Sequence, residues 1–125
     1  MRVRVGVDSC AALSVTPPNV FPQPIEATPH VGEEYMAANK GTIKNVGQQT
    51  VQAYTNEYLP IQQKFQVTQV HRPLAAVSEM EDNDKTVVIS KYGRFIIDNN
   101  TGVWTNIERE NGTYYMDQWV FQGQA

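Results

Sequence analysis

The chain contains one cysteine, two histidines and no long apolar run. A single cysteine excludes an internal disulfide and a cysteine-based zinc site. No uninterrupted apolar stretch approaches the roughly 18 residues of a membrane span. The two arginines near the amino terminus have no apolar signal-peptide core behind them. Charge is sparse too: 10 basic and 13 acidic side chains leave a net −3, which gives no electrostatic reason to bind DNA or RNA. These absences predict an intracellular, cytoplasmic setting with neither a nucleic-acid nor a membrane partner.

What is present describes one folded domain. A length of 125 residues suits a single core, and 41% hydrophobic residues suffice to fill it. Alternating or β-branched runs separated by turn residues predict an all-β domain. Strands are expected at 2–7, 13–16, 34–38, 42–46, 49–54, 63–70, 86–90, 94–98, 103–109 and 113–121. Asn111-Gly112 between two such runs is the strongest hairpin signal. One helix is expected over Leu74 to Met80, with Pro73 at its start. Five of the seven prolines fall in 17–29, a stretch expected to lie along the surface as a loop. The chain opens directly on a strand, which reads as a domain cut from a longer protein.

The chemistry is concentrated in Val7-Asp8-Ser9-Cys10-Ala11-Ala12-Leu13-Ser14-Val15. A carboxylate at the end of a buried strand, with a hydroxyl beside it, is half of an aspartic protease dyad. In that mechanism two carboxylates share one proton, one acting as base toward water and the other as acid. No other aspartate has this setting. Asp82 and Asp84 lie in an acidic turn, Asp98 precedes Asn99-Asn100, and Asp117 sits in an alternating strand that looks exposed. A dyad therefore requires two copies of the chain.

The order of features resembles that of retropepsins, the dimeric aspartic proteases of retroviruses and retrotransposons, and most closely the protease region of copia-type retroelement polyproteins. Three segments carry the resemblance: the Asp8 loop; Ala37-Ala38-Asn39-Lys40-Gly41-Thr42 through Gly47, which looks like a flap hairpin; and Arg72 to Met80, which looks like the entry to the carboxy-terminal helix. It implies a closed acid-protease barrel with one short helix. It also implies a homodimer acting on peptide or polyprotein, and no cofactor. Asp8 would be the catalytic carboxylate and Ser9 the hydroxyl that locks the two loops together. Cys10, Ala11 and Ala12 would floor the substrate site, and Ala38, Asn39, Lys40, Gly41 and Thr42 would form the flap over it.

Cys10 departs from the family pattern, which has glycine there. A Cβ at that position is expected to strain the loop by about 1–3 kcal/mol. A degenerate, non-catalytic retropepsin fold that dimerises or binds peptide is the alternative this residue motivates. An unrelated all-β binding domain is a third. A cysteine-protease reading lacks a partner base, since His30 and His71 lie in proline-flanked loops.

Other features have plainer accounts. Glu79, Glu81, Asp82 and Asp84 do not have calcium-loop spacing and read as a helix end and turn. The two N-x-T acceptors, Asn99 and Asn111, fall where turns are expected. Residues 103–125 extend past the family core of about 1–102 as an extra hairpin. That hairpin either fastens a dimer or covers the sheet edge within one chain.

Overall fold

The computed structural model describes residues 1–36 and 42–121. The protein is all-β, as its alternating pattern requires, with one short helix. Strand β1 (Arg2–Asp8) alternates buried Val3, Val5 and Val7 with Arg4. It is followed by β2 (Val15–Thr16), β3 (Glu34–Met36), β4 (Thr42–Lys44), β5 (Gly47–Tyr54), β6 (Pro60–Val67), β7 (Leu74–Ala76) and helix α1 (Val77–Asp82). The chain continues through β8 (Lys85–Ser90), β9 (Gly93–Asp98), β10 (Trp104–Asn106), β11 (Glu108–Glu110) and β12 (Thr113–Val120).

Six strands close into a ring in the order β1-β7-β2-β6-β5-β12, with β12 returning to β1 and β11 attached to β12. Closure leaves fewer bare edges for foreign pairing. Inside lie Val5, Val51, Ala53, Phe65, Ala75 and Met116. A second sheet, β10-β9-β8, packs on the barrel, so that Ile96 and Ile107 belong to the same buried cluster. Helix α1 contributes Val77 and Met80 to that cluster. No helix among the described residues is long and apolar enough to cross a membrane.

Tertiary pairing overrides the expected helix start. Leu74, Ala75 and Ala76 form β7, parallel to β1 with Gly6, Val7 and Asp8 opposite them. The helix begins only at Val77. Gly6 permits the close contact: its N–H donates to the Pro73 carbonyl at 3.0 Å, and a Cβ there would lie 2.8 Å from Leu74 Cδ2.

The proline-rich loop is likewise more than surface. Phe21 is buried and stacks on Phe65, with ring centroids 4.9 Å apart. Gln49 Nε2 fastens the loop by donating to the carbonyls of Phe21 and Gln23.

The expected 103–109 strand divides at Ile107. This residue is buried and gives its N–H to the Arg94 carbonyl at 3.0 Å. The residues before it pair with β9 and those after it with β12. Asn111 and Gly112, with φ of 52° and 76°, make the tight turn that their sequence announces. Within the chain this hairpin joins the barrel, since β12 lies between β1 and β5.

Asp117 is also relocated. It is buried and receives Arg4 Nε at 3.1 Å, while Arg4 further pairs with Glu110 and Glu108. The surrounding carboxylates, Asp117 foremost, raise the Arg4 guanidinium pKa above its ordinary value.

Candidate active site

Asp8 stands half-buried at the end of β1, where the parallel pairing with β7 stops at Ala76. Beyond it the chain turns. The Cys10 N–H donates to Asp8 Oδ1 at 2.8 Å, closing the small ring that aspartates favour in turns. Among the described residues, Asp8 Oδ2 makes no hydrogen bond. Ser9 and Cys10 are exposed at the apex, Ala11 is half-buried and Ala12 is exposed. The structure therefore brings the expected residues 8–12 together in one outward-facing loop.

The strain expected at Cys10 is absent. The non-glycine residues with positive φ among those described are Tyr58, Asp84 and Asn111, so the loop turns at Cys10 without left-handed backbone. The cause is the turn itself, which the Asp8 carboxylate closes without needing a glycine. Among the described residues neither histidine hydrogen-bonds to Cys10, and His30 Nδ1 is paired with Glu33.

The far end of the loop is held by a residue that sequence reasoning passed over. Ser14 is 2% exposed, and each of its polar groups is engaged. Its Oγ accepts the Ala76 N–H at 2.9 Å and the Gln63 side-chain amide at 3.3 Å. Its carbonyl accepts the Gln66 N–H at 2.8 Å, and its own N–H donates to the Glu79 carboxylate. Ser78 Oγ adds a 3.4 Å bond to the Ala12 carbonyl. Strands β6 and β7 and helix α1 thus clamp the loop on its inner side. The available signal was a serine inside an apolar run, Leu13-Ser14-Val15.

The hairpin of β3 and β4 pairs Glu34 with Lys44 and Met36 with Thr42. Ala38, Asn39, Lys40 and Gly41, expected at its tip, lie outside the described residues, and Thr42 is placed only as the first residue of β4. The root of the hairpin is a buried polar cluster. Asn45 Nδ2 donates to Gln66 Oε1 at 2.8 Å, and its Oδ1 accepts the Gly47 N–H at 2.8 Å. Thr28 Oγ1 also donates to Gln66 Oε1, and Thr68 Oγ1 donates to the Lys44 carbonyl. Gly47 is required here: at φ 153°, a Cβ would meet Ile25 Cγ2 at 2.4 Å and the Glu26 carbonyl oxygen at 2.8 Å.

Other acidic residues that the sequence singles out are engaged elsewhere. Asp98 accepts the Asn100 N–H at 2.8 Å and the Lys85 ammonium at 3.2 Å. Glu79 serves the loop, and Asp84 ends the turn after α1. Among the described residues, no group of three or more His, Cys, Asp or Glu side chains is placed to hold a metal.

Of the aromatic residues, Tyr115 is buried, whereas Trp119, Phe121 and Tyr54 cluster half-exposed on the barrel's outer face. Trp119 is opposite Arg2, at the other end of β1 from Asp8. Six residue steps of strand separate Arg2 from Asp8, roughly 20 Å.

One carboxylate with a free oxygen can act as base or as acid, but one residue cannot do both at once. No family model matches this chain, and no curated protein or solved structure matches it significantly.

Proposed function

We propose that the chain is a homodimeric aspartic endopeptidase of retroelement type that cleaves polyprotein at extended, apolar sites. The observation carrying this reading is the clamped loop. Asp8 ends a core strand, the inner side of its loop is fastened by Ser14, and residues 9–12 face outward where a second copy would meet them. With two copies related by a two-fold axis, the pair of Asp8 carboxylates would share one proton. The ionised member takes a proton from water, and the oxygen of that water bonds to the scissile carbonyl carbon. The protonated member gives its proton to the carbonyl oxygen. On collapse the carboxyl that took water's proton gives it to the leaving nitrogen, the C–N bond breaks, and the other carboxylate takes back a proton from the diol as the new carboxyl carbonyl forms. Ser9 would bridge the two loops. The hairpin of β3 and β4 would close over a substrate bound as an added strand. A cytoplasmic site of action belongs to the same proposal.

The test is a cleavage assay on the parent polyprotein across pH 4–7, with and without pepstatin. Cleavage strongest at mildly acidic pH, blocked by pepstatin and abolished in Asp8→Asn, supports the reading. Cleavage that survives Asp8→Asn overturns it.

A second reading has its own observation. Asp8 Oδ1 already holds the Cys10 N–H, as a purely structural turn aspartate does. On that view the fold is a non-catalytic module for dimerisation or peptide binding. Cys10→Gly separates the two readings. Activity gained on restoring glycine places the chain among the proteases, and inactivity of both forms favours the module.

A further inference from the structure

Strand β6 is hydrogen-bonded along only part of one edge. Its odd-numbered residues face β5, with Ile61, Gln63 and Phe65 opposite Ala53, Val51 and Gln49. Its even-numbered residues turn their N–H and C=O groups the other way, as the 2.8 Å bond from the Gln66 N–H to the Ser14 carbonyl shows. On that side β2 is two residues long and reaches only Gln66 and Val67. Gln62 and Lys64 lie beyond its end. Among the described residues, nothing hydrogen-bonds to their backbone N–H and C=O groups.

A groove of about 430 Å³ adjoins this edge, lined among others by Leu59, Ile61, Gln62, Ile96 and Val103, with the Lys85–Asp98 ion pair also on its wall. Ile61 and Gln62 are consecutive, so their side chains point to opposite faces of the strand. That both line the groove puts it against the strand's edge, and β5 already occupies the other edge. The far wall belongs to the second sheet. Lys64, exposed two residues along the strand from Gln62, makes no ion pair among the described residues.

We propose that this edge is a docking site for an extended peptide. The peptide pairs with β6 as an added strand, sets an aliphatic side chain in the groove and meets Lys64 with a carboxylate. Bare backbone donors and acceptors alternating along a strand are complementary to another extended backbone. The apolar lining takes the aliphatic residue and the free ammonium takes the acid. A second copy presenting the same edge is disfavoured, because its Lys64 would approach this one and Pro60 has no N–H to pair. Pairing with β2 stops at Val15, and the chain before it is drawn toward α1 by the Ser78–Ala12 bond, so the site begins next to the end of the Asp8 loop. It does not depend on Asp8 being catalytic.

The probe is a fluorescein-labelled seven-residue peptide of alternating valine and threonine with one glutamate, titrated against the full chain by fluorescence anisotropy. A matched peptide, N-methylated at alternate residues, keeps the side chains and loses the pairing. Methylation is expected to weaken binding at least about tenfold, and Gln62→Pro to do the same. Proline there removes an N–H that the β5 ladder does not use, and a urea melt checks that the variant folds. Val103→Lys fills the groove from the second sheet and serves if Gln62→Pro does not fold. Lys64→Glu is expected to switch preference to a lysine-bearing peptide. Absence of binding at about 1 mM, equal affinity for the methylated peptide, or unchanged binding in the folded groove variants overturns the proposal.

Discussion

Ser14 Oγ accepts the backbone N–H of Ala76, the residue opposite Asp8 across the β1–β7 pair, at 2.9 Å. The end of the loop and the strand beside its beginning are thereby fixed to one another. Ser14→Ala removes that acceptor and leaves a buried N–H unpaired, at an expected cost of about 1–3 kcal/mol. Urea denaturation measures this. Ser14→Thr, which keeps the hydroxyl, is expected to lose less.

Arg4 and Asp117 form the barrel's partly buried ion pair. In Arg4→Met the Asp117 carboxylate stays buried without its cation. The Arg4 side chain is 31% exposed, so water recovers part of the loss, and about 2 kcal/mol of destabilisation is expected. Adding Asp117→Leu to Arg4→Met should restore much of it. The double variant being no more stable than the single one in thermal unfolding would contradict the assignment.

Gly47→Ala tests the hairpin root. The new methyl meets the Glu26 carbonyl oxygen and Ile25, and the backbone conformation there is one that L residues rarely adopt. At least about 2 kcal/mol of stability should go. Amide exchange is expected to quicken first around Asn45 and Gly47.

The pH dependence is expected to involve Asp98. The Asn100 N–H first, then the Lys85 ammonium, hold its carboxyl below the ordinary value of 3.8. A pKa depressed by folding adds stability above the unfolded value, and that stability is lost as pH falls through the lower, native one. The contribution therefore persists at neutral pH and disappears below about pH 4. Asp98→Asn should flatten this acid limb in urea midpoints measured from pH 7 to pH 2.5. An identical limb in the variant would place the effect elsewhere.

The sequence discloses what local chemistry dictates. Val3, Val5 and Val7 alternate as a core strand must, Asn111-Gly112 forces a tight turn, and Asp8-Ser9 ends a strand. Leu74 to Ala76 misled because three apolar residues after a proline suit a helix locally, and only the gap between β1 and β2 makes them a strand. Asp117 looks like a surface residue until Arg4, more than a hundred positions away, arrives opposite it. Ser14 and Asn45 are small polar residues whose value comes entirely from partners on other strands. A single position gives no sign of that.

The placement of β12 has a consequence for how the chain acquires its structure. Arg2 pairs with Trp119, so the first strand formed waits for the last to be synthesised. Until β12 emerges, β1 and β5 stand side by side with nothing between them, and the ring cannot close. Folding of this protein is therefore governed by a contact spanning nearly its whole length, which makes it slow for its size. A nascent chain halted before residue 113 exposes two β-rich edges to its neighbours.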